Sequence, residues 1–186
     1  MIFYRYAVAE DAEILLRIRR EAVLSNRNEH YSYNQLIAWA PEVNNATITA
    51  EAEALNNPDR ITIIAAVDSD ESDYSLHLTP NNSSVQKPGR KSIMSKMVGL
   101  CTIGISEGLL KQCYVLQQYR GKGIAKGLVR IVEDIARENG LSYLKLSSSL
   151  IAFRFYEKLG YQAIERYDYD LEEGLIMECV MMYREL

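Results

Sequence analysis

The segment from Gln118 to Ala125, with glycines at 121 and 123, joins a short apolar run directly to an amphipathic helix pattern, and this junction constrains the chain more than any other stretch. The run before it, Leu109 to Leu116, is rich in strand formers. After the glycines, Ile124, Leu128, Ile131, Val132 and Ile135 recur at three- and four-residue spacing, one face of a helix that ends near Asn139-Gly140. A strand, a two-glycine turn and a helix start follow in order. The first turn of a helix leaves N–H groups unpaired and carries the positive end of the dipole, so a phosphate is its natural partner. Gly121 and Gly123 permit positive φ and place no Cβ in the way of an anion. Lys122, Lys126 and Arg130 lie at i, i+4 and i+8 and line one flank of the helix with positive charge. The basic residues alone also fit a solvated surface; the element taken whole points to an anion site.

The glycines do not name the ligand. A dinucleotide fingerprint needs GxGxxG, and the third glycine is absent here; no GxxxxGK followed by Ser or Thr occurs either. Nicotinamide and nucleoside triphosphate readings fall away. The formal charge of −4 argues against broad nucleic-acid binding. With two histidines, His30 and His77, a histidine-based metal site is not expected. Cys101, Cys113 and Cys179 sit in apolar strand-like contexts and read as reduced core residues. No apolar run reaches the ~20 residues of a membrane span, and no signal-peptide core is present, so a soluble cytoplasmic protein is expected.

Along its 186 residues the chain alternates strand and helix patterns without a repeat or linker, which implies one α/β domain with a mixed sheet over residues 1–186. Strands are expected at Ile2 to Val8, Ile61 to Val67, Met97 to Ile105, Leu109 to Leu116, Tyr143 to Ser147, Tyr161 to Tyr169 and Leu175 to Met182. Helices are expected from Glu10-Asp11 to Asn26–Asn28, over Tyr33 to Ala40 and Glu42 to Leu55, and after Gly123. Another should follow Ser149, with Ile151, Phe155 and Leu159 as its apolar stripe. Residues 68–95, rich in Ser, Asp, Asn and Pro, read as a mobile hairpin or insert. Asp170 to Gly174 reads as an acidic turn between the last two strands.

Tyr114-Val115 with Tyr119 to Ala125 resembles the acetyl-CoA-binding motif of the GCN5-related N-acetyltransferase (GNAT) superfamily. Ser149 to Tyr161, about thirty residues on, is similar to that family's second signature, and His30 to Trp39 is similar to a group of small bacterial acetyltransferases of undefined substrate. The resemblance implies a mostly antiparallel sheet in which Leu109 to Leu116 and Tyr143 to Ser147 splay apart to admit pantetheine. It implies pantetheine contacts at Cys113, Tyr114 and Val115, and a pyrophosphate held by the amides of Arg120, Gly121, Lys122, Gly123, Ile124 and Ala125. Acetyl-CoA enters as a co-substrate, without a metal. The partner is a small-molecule or peptide amine; dimerisation is common in the family, and the C-terminal strand would be a plausible edge for a homodimer.

Acetyl transfer to an amine raises two proton problems: an ammonium with a pKa near ~10.4 must lose a proton, and a thiolate near ~8.5 is better protonated as it leaves. The resemblance gives the second task to Tyr156, as thiolate stabiliser and general acid. The base is open. Many relatives carry a glutamate where this chain has Leu109, which leaves Glu107, Glu178 or a water chain. Ser149 stands where relatives carry asparagine and is expected to cap the next helix or to contact pantetheine. Tyr31, Tyr33 and Trp39 lie where the family walls its acceptor pocket, with core packing the alternative for Trp39. A non-catalytic acyl-CoA sensor and a protein-lysine or N-terminal acetyltransferase remain competing readings; a phenol beside the thioester disfavours the sensor.

Overall fold

The computed structural model describes residues 1–26, 30–68, 95–172 and 174–186. Most of the expected insert, including His77, therefore lies outside the described residues, as do residues 27–29; the first helix ends at Leu24, just before the expected Asn26–Asn28. The elements run β1 (Ile2–Tyr6), α1 (Ala12–Leu24), α2 (Tyr33–Trp39), α3 (Asn45–Leu55), β2 (Arg60–Asp68), β3 (Ser95–Gly104), β4 (Leu109–Val115), α4 (Ile124–Glu138), β5 (Tyr143–Ser149), α5 (Leu150–Lys158), β6 (Gln162–Glu172) and β7 (Leu175–Glu185). Their seven-stranded sheet has the order β1-β2-β3-β4-β5-β7-β6. Every pairing is antiparallel except β4 with β5, so the expected mixed, mostly antiparallel α/β sheet is what the chain forms.

Side-chain alternation along the strands builds two cores. Cys101, Ile103, Leu110 and Val180 meet Leu128, Val132 and Tyr156 of α4 and α5 on one face. Leu100, Leu116, Met177 and Cys179 meet Leu15, Ile18, Val23 and Leu36 of α1 and α2 on the other. Burial on both faces explains why Ile61 to Val67 is a continuous apolar run rather than an alternating one. The short α2 is fixed by a capping box between Ser32 and Gln35, and Gln35 Nε2 also donates to the Ile176 carbonyl at 2.7 Å. That bond ties α2 across the sheet to β7.

Three expectations change. The C-terminal strand β7, expected as a plausible edge, lies between β5 and β6, and the edges are β1 and β6. The acidic turn at 170–174 is mostly strand, since Asp170 pairs with Ile176 and Glu172 with Leu175. An exposed edge strand carries charge at little cost, which is how these carboxylates came to look like a loop. On α5 the buried residue is Tyr156, whereas Ile151, Phe155 and Leu159 are only half-buried.

At Gly99, opposite Val115, an added Cβ would lie 2.9 Å from the Tyr114 carbonyl oxygen and 3.0 Å from Val115 Cγ2. A Gly99→Ala variant is expected to lose about 1–3 kcal/mol by overpacking and to show a lower midpoint in thermal denaturation. No described helix is long and apolar enough to cross a membrane.

Candidate active site

The loop between β4 and α4 is built to leave its amides free. Gly121 and Gly123 adopt φ of 76° and 79°, and a Cβ at either would meet nothing within 4 Å. The first α4 amide to find a partner outside the regular ladder is Gly127, which donates to the Gly123 carbonyl at 2.9 Å. Gly121, Lys122, Gly123, Ile124 and Ala125 have no backbone acceptor among the described residues. These five amides lie at the positive end of a 15-residue helix. Lys122, Lys126 and Arg130 are all exposed on its flank.

Arg120 departs from the expectation. Its amide donates to the Gln117 carbonyl at 3.1 Å and is not available to a phosphate. Its guanidinium donates to Asn26 Oδ1 at 2.7 Å, the Ala22 carbonyl at 3.0 Å and, through Nε, the Val115 carbonyl at 3.3 Å. Arg120 therefore straps the anion loop to the last turn of α1, where carbonyls lack helical partners. Burial pushes its pKa down.

Beside this loop the sheet opens. β4 and β5 are paired only at Leu109 with Lys145 and Leu110 with Leu146. Beyond them β4 continues to Val115 against β3, and β5 continues to Ser149 against β7. The edges of β4 past Leu110 and of β5 past Leu146 consequently face each other across a wedge with no ladder bonds. Cys113, Tyr114 and Val115 form one wall of it, and the anion loop lies directly after that wall.

On the α5 side stands Tyr156, 6% exposed, its ring 5.0 Å from that of Phe155 and 5.6 Å from that of Tyr161. Burial, and then the nearby Cys113 and Cys101 thiols, push its phenol well above the usual range. Cys101 and Cys113 are register partners on β3 and β4, both as free thiols; burial pushes Cys101 up. Tyr161 is itself buried and donates to Glu133 Oε1 at 3.1 Å, which also accepts from Arg184 Nη1 at 2.8 Å. This triad clamps α4 to β7 behind Tyr156. A carboxylate four residues after Val129 on a buried helix face was the signal for it in the sequence.

Ser149 is the N-cap of α5, its Oγ accepting from the Ala152 amide at 3.3 Å. Leu109 brings no carboxylate, and the two alternatives are engaged elsewhere: Glu107 pairs with Lys111 at 2.6 Å and Glu178 with Arg166 at 3.0 Å.

On the α1–α2 face, Tyr31 and Trp39 come together, with ring centroids 6.3 Å apart, and Trp39 reaches Tyr114 at 6.2 Å. The Tyr31 hydroxyl donates to the Glu178 carbonyl at 2.6 Å and accepts from the Leu150 amide at 2.7 Å. Burial pushes its pKa up to about 12. It is a latch between α2, β7 and the start of α5. Tyr33 is 63% exposed and stands outside this cluster. Arg19 was not anticipated: its guanidinium lies over the Tyr114 ring at 5.8 Å, and a single arginine inside a helix pattern gives no sequence signal of such a place.

Comparison with known proteins bears on this geometry. The sequence model of the acetyltransferase (GNAT) family matches residues 65–161. A Bacillus subtilis (strain 168) protein, whose name assigns it to the acetyltransferases without a substrate, is 42% identical over 55 residues, 30% of this chain and 37% of its own length. The glucosamine 6-phosphate N-acetyltransferase of Trypanosoma brucei brucei is 38% identical over 63 residues, 34% of this chain and 43% of its own length. The matches thus span less than half the length of these relatives. The fold is that of a GCN5-related N-acetyltransferase from Rhodopseudomonas palustris, with a TM-score of 0.74 at 21% identity over 99% of this chain and 95% of that one. It is also that of the PaiA N-acetyltransferase of Thermoplasma acidophilum in complex with coenzyme A, with a TM-score of 0.68 at 19% identity over 100% and 99% of the two chains. With that match running from β2 through the wedge and the glycine loop to α5 and beyond Tyr156, over more than half of the chain, the chain belongs to the acetyltransferase (GNAT) family.

Proposed function

We propose that this protein, a single acetyltransferase domain, moves an acetyl group from acetyl-CoA to a primary amine by direct attack. The observation that carries the reading is the wedge between β4 and β5, with free loop amides at one end and a buried phenol on its α5 side. A pyrophosphate suits the amides of Gly121 to Ala125, and a pantetheine arm suits the unpaired edge of β4 at Cys113 to Val115, adding in effect a strand of amides to an open sheet. Solved structures of similar fold hold coenzyme A or acetyl-CoA.

In the reaction the deprotonated amine forms a bond to the acetyl carbon as the carbon–sulfur bond breaks. The products are the acetamide and the free thiol. The amine's excess proton passes to solvent, because no carboxylate without a partner stands at the Leu109 position, and the departing thiolate takes up its proton from solvent. Tyr156 donates a hydrogen bond to the sulfur as negative charge gathers there. A raised phenol pKa makes complete transfer to a thiolate near ~8.5 more uphill, so this phenol acts by hydrogen bonding rather than as a full acid.

Calorimetric titration with acetyl-CoA, desulfo-CoA and ATP, followed by thiol release over an amine panel, tests the reading. Binding of the CoA compounds without ATP, with amine-dependent thiol release, is the expected result. Absence of CoA binding overturns it, and binding without release on any amine or peptide turns it toward a sensor. Gly123→Ala, which forces a side chain into φ of 79° at the mouth of the anion loop, should weaken acetyl-CoA binding about tenfold in the same titration, equivalent to ~1.4 kcal/mol.

A further inference from the structure

The chain's own partnering of its α1 arginines sets Arg19 apart. Arg17 pairs with Glu13 at 2.6 Å, and Arg20 donates to the Pro41 carbonyl at 3.0 Å. Arg19 forms no ion pair with a described carboxylate, and its Nε is the buried side-chain nitrogen that lacks a hydrogen-bond partner among the described residues. Arg19 is half-buried, with its Nε shut off from water, and its planar fork matches a carboxylate or phosphate in two-point contact.

Position gives this a meaning. Arg19 lies over Tyr114, the middle residue of the wedge wall. Trp39 packs on the same tyrosine, and Tyr31 carries the cluster across to the Leu150 amide at the other wall. Arg19 thus stands at the α1–α2 mouth of the wedge. Tyr114 lies between Cys113 and Val115 on the stretch of β4 that leaves β5, so this mouth adjoins the wedge. An arginine over the aromatic face also repels the dication of a polyamine.

Resting on the acetyltransferase reading above, we infer that the acceptor is a small amine that also carries an anionic oxyacid group, and that Arg19 binds that group while the amine faces the wedge. A carboxylate and a phosphate would share this chemistry. The test is thiol release by the full-length protein with matched amines: amino acids against their decarboxylated counterparts, and an amino sugar phosphate against the unphosphorylated sugar. Acetyl-CoA affinity is measured alongside. The wild type should favour the anionic member of at least one pair by tenfold or more in kcat/KM, and the pair that does so names the oxyacid. Arg19→Gln should abolish that preference through KM, leaving acetyl-CoA affinity and kcat little changed; Arg19→Lys should restore part of it. Preference for the uncharged or polyamine member overturns the inference, as does a preference that survives in Arg19→Gln or intact acetyl-CoA binding with no turnover of any anionic amine. Loss of acetyl-CoA binding by the wild type would instead fail the acetyltransferase reading itself.

Discussion

Replacement of Tyr156 by phenylalanine is expected to lower kcat by about 10²–10³-fold while leaving acetyl-CoA affinity little changed. The magnitude is that of removing one oriented hydrogen-bond donor from the site where negative charge develops, about 2.7–4 kcal/mol. The ring should stay where it is. Its contacts with Phe155 and Tyr161 are edge-to-face and do not involve the hydroxyl, so the variant keeps its packing and its thermal midpoint. Steady-state thiol release and a calorimetric titration on the same preparation separate the two quantities. Unchanged turnover would remove Tyr156 from the chemistry, and parallel loss of affinity and turnover would mean that the substitution damages the wedge instead.

The pH profile carries the second half of this argument. Burial raises the Tyr156 phenol, so the protonated form persists as pH rises through the ordinary range of a free phenol, near ~10, and is lost only above it. The wild-type kcat profile should therefore climb with pH as the acceptor ammonium gives up its proton, with no descending limb below about pH 10 that belongs to Tyr156. A descending limb between about pH 8 and 9 that vanishes in Tyr156→Phe would show a phenol whose pKa falls in the ternary complex, and would restore it as a full general acid.

What the sequence revealed and concealed follows from the reach of its patterns. The loop between β4 and α4 was legible because its parts are contiguous: a strand former run, two glycines and a helix face of period 3.6 all lie within Leu109 to Glu138. The cap at Ser149 was legible for the same reason. The Arg120 amide was grouped with its neighbours because the resemblance treats residues 120–125 as one run, whereas it closes a turn on Gln117, and the partners of its guanidinium, Ala22 and Asn26, lie almost a hundred positions earlier in the chain. The end of β6 was misread because Asp170 and Glu172 look like a turn, and only their pairing with β7 shows otherwise. Tyr156 was located by motif, yet its burial contradicts the apolar stripe of its own helix. Phe155 and Leu159 pack half-buried against the same core, beside the buried phenol.

Arg184→Met is expected to be the most destabilising single change among the residues discussed, and its cause lies in Glu133. That carboxylate is 3% exposed on the sheet-facing side of α4, and two of its contacts come from Arg184 and Tyr161. Removing the guanidinium leaves a buried charge with a neutral phenol for company, a loss of about 3–5 kcal/mol in comparable pairs. Arg184 retains 31% side-chain exposure, so water screens part of the pair and the lower end, about 3 kcal/mol, is expected. For a chain of this length each kcal/mol moves Tm by roughly 2–4 °C, which places the drop on the order of 10 °C. The double variant Glu133→Leu with Arg184→Met should recover most of that loss, because what destabilises is the stranded charge and not the missing ion pair. Thermal denaturation of both variants decides the point: a double variant no more stable than Arg184→Met alone would mean that the arginine holds α4 to β7 through its packing. The same pair of variants reports on function, since Tyr161 packs edge-on against Tyr156. If the triad positions that phenol, the double variant should regain its stability without regaining its kcat.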